Sequence, residues 1–494
     1  MSNYFVKKSI SMLMAHAEDG EKTLKKTLTA SSLVALGIGA IIGAGLFVRT
    51  AAAAAQNAGP SVTIGFIVAA IGCALAGLCY AEFSSSIPIS GSAYTYSYAT
   101  MGELIAWIIG WDLVLEYAVG AATVGIAWSE YLNNLLTNVL HLPPIPYALC
   151  HSPFEMSING AHGLINLPAL FIVSALSLLL IRGTQESALV NNLIVVTKVT
   201  IVILIIAAGW SYINPVNHAV YIPEATKYVD HQGISHNYGG IMGILGAAGV
   251  VFFAFIGFDA VSTAAQEAKN PGKDMPIGIL GSLVVCTILY ILFAHVLTGV
   301  ASVEDFRTTG KEASVAFAIQ KYMPGFEWLA KLVTIAILAG FSSVILVMLL
   351  GQSRVFYSMS RDGLLPKVFS QLHHKYHTPY KANLIILVLV GFFAAFVPGD
   401  IVGDMTSIGT LFAFILVCAG VIILRKTEPD LHRKFKTPFV PLVPILGIVV
   451  CGAMIYGLGW TNWLRLIVWL LIGFVIYFGY SVKHSKLQKH HKQN

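Results

Sequence analysis

Charged side chains are what this sequence has least of. Lys and Arg number 30 and Asp and Glu 24 among 494 residues, 11% of the chain, against about 25% in an ordinary soluble protein. So little charge excludes a disordered chain, which needs high charge and low hydrophobicity. It also excludes the two or three soluble domains that length alone suggests, because their surfaces would go uncovered. Hydrophobic residues make up 56% and mean hydropathy is +0.75, which leaves an integral membrane protein. Cysteine is scarce as well. Cys73, Cys79, Cys286, Cys418 and Cys451 lie in apolar runs, Cys150 lies in a loop, and no CxxC occurs. That pattern excludes a disulfide framework or zinc site and leaves small packing residues. Without a GxxxxGK[ST] phosphate cradle, ATP is not the expected energy source, and no HExxH occurs. No cofactor and no metal is expected. The first 30 residues carry charges throughout and lack the apolar core of a secretory signal. Within them Phe5, Ile10, Leu13 and Met14 suit either one face of an interfacial helix beside Lys7 and Lys8 or a solvated tail.

What is plentiful is apolar runs of the roughly 20 residues that cross a bilayer. Twelve are expected, at 31–54, 61–86, 103–135, 167–182, 187–210, 240–266, 276–300, 327–358, 382–398, 404–425, 439–459 and 463–482. The third and eighth are long enough to tilt or project, and the fourth is short. Basic residues orient them. With the N-terminus inside, 22 of the 30 Lys and Arg fall on inside segments and seven outside (Arg49, Lys227, Arg307, Lys311, Lys321, Lys331, Arg465). Lys198 alone falls within a span. This bias puts both termini in the cytoplasm of a multi-pass cell-membrane protein and requires an even number of helices. Between spans, 84–102 holds aromatics and hydroxyls without Lys or Arg and suits a short helix at the membrane face. The proline-rich 136–166 reads as an outside loop, and 312–322 suits an amphipathic helix outside. The basic 483–494 tail suits anionic headgroups or water, and nothing points to nucleic acid.

Two runs are not plain helices. The first contains Gly37, Gly39, Gly43 and Gly45 in GIGAIIGAGLF, and the sixth has Gly257 mid-run with Asp259 beside it. Glycine costs about 1 kcal/mol per helix position relative to alanine. It also lets the backbone unwind, which lipid tolerates only where the freed groups line a cavity or are buried in protein. Close helix packing explains either segment alone, and Gly39 and Gly43 have the small-xxx-small spacing. Their pairing says more. Each opens a block of five helices, and because five is odd the second block starts from the opposite face. That is the geometry of an inverted repeat whose binding site lies where the broken helices meet. The expected organisation is a tail at 1–30, one five-helix repeat at 31–210, its inverted copy at 239–425, two trailing helices at 426–482 and a tail at 483–494. Free N–H groups of a half-helix suit an anion, and freed carbonyls suit an ammonium. One pocket with both fits an amino acid better than a sugar or an inorganic ion.

GIGAIIGAGLF, GWDLVLEYAVG (110–120), FIGFDAVSTAAQE followed by NP, and GQSRVFYSMSRDGLLP (351–366) together resemble the amino acid–polyamine–organocation transporters. The similarity is greatest to their bacterial cationic-amino-acid-transporter branch and runs over roughly residues 25–480. The resemblance implies an all-α membrane protein with a leucine-transporter-like five-plus-five inverted repeat and two C-terminal helices. It also implies uptake or exchange of amino acids by alternating access. It puts the Ile41 carbonyl on the substrate amine and the N–H groups of Gly43, Ala44 and Gly45 on the carboxylate. The carbonyls of Phe253, Ala254 and Ile256 complete the amine site, and the Phe253 ring caps it. By its residue type alone, Phe253 reads as packing in an aromatic-rich run.

An ionisable residue inside a span is a functional hypothesis by default. Lys198 sits mid-way along the fifth run, too far from either end to snorkel, where it can bind and release a proton. The resemblance implies that a lysine here replaces a sodium ion between the first and eighth helices, facing Gly39 and Ser342 or Ser343. A structural ion pair, for instance with Asp259, is the alternative. Asp259 either caps the second half-helix or joins the proton network. Glu116 shares a face with Asp112 at i+4 and can meet the cation of a lysine or arginine substrate where water is excluded. Ser343 resembles the small position that leaves room for a long side chain. A structural carboxyl is the other reading of Glu116. Glu82, Glu130 and Glu267 read as interfacial, and His295 as a packing residue.

The expectation is a secondary carrier, not an enzyme, for cationic or small neutral L-amino acids, coupled to protons. The substrate, protons and the lipid bilayer are its partners, and an accessory subunit stays open. The alternative is a proton-independent exchanger. An intramembrane serine hydrolase is the distant rival, resting on the common GxSx string at Gly340-Phe341-Ser342-Ser343.

Overall fold

The structure, a computed structural model, describes residues 4–9, 28–87, 92–157, 160–182, 188–230, 233, 235–308, 314–376 and 378–493. Its apolar runs are helical, as backbone in lipid must be to satisfy its own hydrogen bonds. Among the described residues, eight helical segments are long and apolar enough to cross a membrane: Gly45–Ser86, Glu103–Val139, Val195–Tyr212, Gly240–Ser262, Pro271–Val300, Glu327–Arg361, Gly399–Thr427 and Trp460–His484. Shorter apolar helices are Ala30–Ile41, Leu167–Ile181, Tyr380–Phe396 and Leu442–Gly457. The first long segment folds back at Gly59, which takes φ +56° just before Pro60, so residues 45–58 and Val62–Ser86 run as separate helices.

Small side chains set the inner packing. Ala51 to Ala55 are all buried, and a Cβ on Gly65 would lie 3.2 Å from Ala247, so these backbones approach closely. Helix Val62–Ser86 lies along Pro271–Val300, which also supports Ala30–Ile41. Outward faces keep Phe171, Val388 and Val475 exposed. In water that would be an aggregation surface; against lipid it is solvation.

Both terminal segments close one end of the bundle. Lys8 Nζ lies 2.8 Å from Asp362 Oδ1, and Tyr94 donates to Asp362 Oδ2 at 2.8 Å. The Lys486 amide donates to the Asp362 carbonyl, and Tyr4 meets Phe478 edge-on. Glu103, fully buried, accepts from Tyr98 at 2.8 Å and from Tyr477 at 3.2 Å. Beyond the turn at Gly59 a hairpin pairs Thr226–Val229 with Ser235–Tyr238. Arg307 stacks on its Tyr228 and Tyr238 rings and donates to the Ala55 carbonyl at 3.0 Å.

The structure revises several expectations. The segment 84–102 does contain a short helix, Ser92–Thr100, and its aromatic residues turn into the protein. Tyr94, Tyr96 and Tyr98 are buried, because Phe83 stacks on Tyr96 and Glu103 and Asp362 take up the other hydroxyls. Glu82, read as interfacial, lies inside the protein. It is fully buried, paired with Arg425 at 2.7 Å and Arg433 at 3.2 Å, and accepts the Thr437 amide. His295 has partners: its ring lies 4.6 Å from that of His218, and Tyr221 Oη is 3.5 Å from its Nδ1. Helix Ser314–Tyr322 falls within the expected 312–322. Ile10, Leu13 and Met14 lie outside the described residues, as does the side chain of Glu267.

Removing one partner of a buried ion pair leaves the other charge stranded, at a cost of about 3 kcal/mol. Glu82→Ala is therefore expected to lower the melting temperature in detergent markedly, with Glu82→Gln falling between it and the parent. Outside the spanning helices, burial works against the Asp305 carboxylate, but hydrogen bonds from Lys321 (2.6 Å), Ser302 (2.6 Å) and Tyr322 (2.7 Å) outweigh it and hold its pKa at about 2. Its folded value lies below its unfolded one, about 3.9. Its contribution is thus fully present above pH ~4 and lost as pH falls through ~2. Asp305→Asn should flatten the acid limb of the stability curve over that window, measured by thermal unfolding from pH 5 downward.

Candidate functional site

Helix Ala30–Ile41 ends because Ile42 turns extended, with ψ 103°. Helical backbone resumes at Ala44, φ −57° and ψ −29°. The break frees carbonyls at the end of the first half and amides of Gly43, Ala44 and Gly45 at the start of the second. The sixth run breaks as well. Gly240–Phe252 tightens into a 3₁₀ turn, Phe253–Phe255, then Ile256 goes extended at ψ 133° and Gly257 takes φ +117°, a conformation that favours glycine. Tight turns resume over Asp259–Glu267.

The breaks face each other at contact distance. A Cβ on Gly45 would come within 2.2 Å of Ala254 Cα, and one on Gly257 within 2.8 Å of the Ala40 carbonyl. Beside this contact lies a small cavity. Ala40, Ile41, Gly43, Ala44 and Gly45 line it from the first break, Phe253 and Ile256 from the second, and Val124, Val344 and Met348 from neighbouring helices. Ala254 adjoins through its carbonyl, which with that of Ile41 is held by the Tyr290 hydroxyl.

Val124, Val344, Met348 and Tyr290 were not anticipated. Val344 and Met348 are four residues apart on one helical face, a signal the sequence carries, whereas nothing local marks Tyr290. Ser343 is buried and does not line the cavity; it lies about 100° around the helix from Val344. Glu116 is not in the lining either. It is fully buried, with its carboxyl against that of Asp259 and with Asp112 and Thr410 nearby. Asp259 accepts from Tyr117 at 2.9 Å.

Lys198 is 5% exposed and donates to the Gly39 carbonyl at 3.1 Å. It lines a second small cavity with Ile42, Gly43, Phe47, Gly340 and Phe341. Gly43 walls both cavities. Gly340 makes room for the lysine stem, since a Cβ there would lie 2.9 Å from Lys198 Cε. The Ser342 hydroxyl turns back to the Leu338 carbonyl at 2.9 Å.

A membrane protein whose broken helices abut at a central cavity has the build of a carrier rather than an enzyme. The chain matches the amino acid permease family over residues 28–485 and belongs to that family. It is 47% identical to the branched-chain amino acid permease BcaP of Bacillus subtilis (strain 168), over 98% of this chain and 99% of that one. It is 40% identical to the methylthioribose transporter of the same organism, over 99% and 100%. It is 32% identical to the vacuolar cationic amino acid transporter 4 of Arabidopsis thaliana, over 87% of this chain and 68% of that one.

Contact between the breaks is tight enough that one methyl group must separate them, a strain of about 1–3 kcal/mol. Gly45→Ala should cut labelled amino acid uptake at least about tenfold at unchanged expression, checked in whole cells against total protein.

Proposed function

We propose that the chain carries branched-chain and other small neutral L-amino acids across the cell membrane by alternating access, driven by protons. The observation that carries this reading is the cavity wall. Val124, Val344, Met348 and the Phe253 ring offer apolar surface to a side chain, and the carboxylate of Glu116 is not among the lining residues. An aliphatic side chain gains about 25 cal/mol for each Å² buried there, whereas a lysine or arginine cation would be desolvated without a partner. The 47% identity to a branched-chain permease supports the same choice.

In this reading the substrate carboxylate takes the amides of Gly43, Ala44 and Gly45 at the positive end of a half-helix. Its ammonium takes the carbonyls of Ile41, Phe253, Ala254 and Ile256. Ser343 and Glu116 serve structure rather than cation recognition. The helices make twelve spans as two inverted five-helix repeats and two trailing helices, with both termini cytoplasmic. Lys198 is the proton site. Protonated, it ties its helix to the Gly39 carbonyl; neutral, it holds that carbonyl more weakly and the first half-helix can move. Burial among apolar groups and a wall shared with the substrate cavity support that role. Asp259, with Tyr117, and Ser342 border this network.

The test is a competition panel of the twenty amino acids and methylthioribose against labelled leucine in proteoliposomes at two pH values. Valine, isoleucine and leucine should compete best and lysine and arginine poorly, and a protonophore should collapse accumulation. Strong competition by arginine would overturn the substrate choice. Uptake that needs amino acid preloaded inside would replace symport by exchange. Lys198→Ala should abolish substrate-driven proton flux, and undiminished flux would remove Lys198 from the coupling.

A further inference from the structure

Tyr290 lies fully buried in helix Pro271–Val300, outside the glycine motifs in sequence. Its hydroxyl is 3.0 Å from the Ile41 carbonyl oxygen and 3.0 Å from that of Ala254. One carbonyl belongs to each broken helix. The ring is held between Phe66, 5.6 Å away, and Phe255, 5.3 Å away, so the hydroxyl is fixed in place rather than free to rotate out.

The bridge is short of donors. A phenol has a single proton, and here it meets two acceptors. Two carbonyl oxygens converging on one point also repel each other, and each keeps a second lone pair. In a buried, low-dielectric site that shortage raises the affinity for any group that brings more N–H donors and positive charge. A primary ammonium brings three of the former and one of the latter.

We infer that Tyr290 is a positioning residue for the substrate's amine: its hydroxyl holds the freed carbonyls of both broken helices convergent, so that an arriving ammonium meets a site already assembled. This rests on the proposed reading that the amine binds at those carbonyls. It adds a requirement, that recognition of the amine depends on a side chain of a third helix that spans both breaks. It also predicts selectivity for a primary ammonium over a hydroxyl at the same carbon, because a hydroxyl brings one donor to a site that already has one.

The test compares binding of leucine and its α-hydroxy analogue to purified parent, Tyr290→Phe and Phe253→Ala proteins. Tyr290→Phe keeps the ring and removes only the hydroxyl. It should weaken leucine binding about tenfold, the scale of one lost buried hydrogen bond, and leave the hydroxy acid nearly unchanged. The ratio of the two affinities is a readout that general loosening of the fold would not move. An unchanged leucine affinity, or an equal loss for both ligands, would overturn the role of Tyr290. Normal leucine binding by Phe253→Ala would instead overturn the placement of the substrate, and the proposal with it. Should Tyr290→Phe not fold, 3-fluorotyrosine at residue 290 keeps the hydroxyl. Its ¹⁹F resonance should shift on adding leucine and stay put on adding the hydroxy acid; identical responses to both would count against the proposal.

Discussion

A backbone carbonyl or amide held away from water has to find a partner, and the centre of this molecule is arranged around that need. Breaking two helices inside an apolar body frees carbonyls at Gly39, Ile41 and Ala254. Lys198 takes the first and Tyr290 the other two. Each donor comes from a helix other than the one it serves, so the breaks hold only while the surrounding helices stay in register. The same demand makes the site useful. Groups satisfied by a single shared donor are the ones a ligand with several donors can improve upon.

The ends of the bundle follow a related logic with charges. Arg49, on the second half of the first broken helix, is 4% exposed and pairs with Asp400 at 3.2 Å and with Asp404. At the opposite end Asp362 gathers Lys8, Tyr94 and the Lys486 amide, and Glu82 gathers Arg425 and Arg433. These charges are far from the connections in sequence that would make them partners by proximity. They tie segments hundreds of residues apart. Asp112 does not: neither of its carboxyl oxygens has a hydrogen-bond partner among the described residues, and Glu116 lies against another acid, Asp259.

How much was legible beforehand depended on whether the signal is local. Helix breaks are local, because glycine changes the backbone at its own position; the run at 37–47 and Gly257 marked both. Lys198 was equally plain, since one lysine in a run of Ile, Val and Leu has no competing explanation in its own segment. The burial of Glu82 was not legible, because its position near a helix end says nothing about Arg425, 343 residues away. Ser343 stood out by its size, yet the cavity takes Val344 and Met348, since the rotation of a long helix about its axis is set by what packs on its other faces.

The sequence by itself determined the class of protein, the helices and the two places where they fail, because charge scarcity, apolar run length and glycine each act through short-range physics. The tertiary structure alone decided which residues meet at those breaks: that Gly45 abuts Ala254, that Lys198 reaches Gly39, that Tyr290 spans both carbonyls and that the wall beside them is apolar. Such meetings depend on how helices distant in the chain are rotated and stacked. Packing of the whole bundle sets those rotations, and no window of residues contains it.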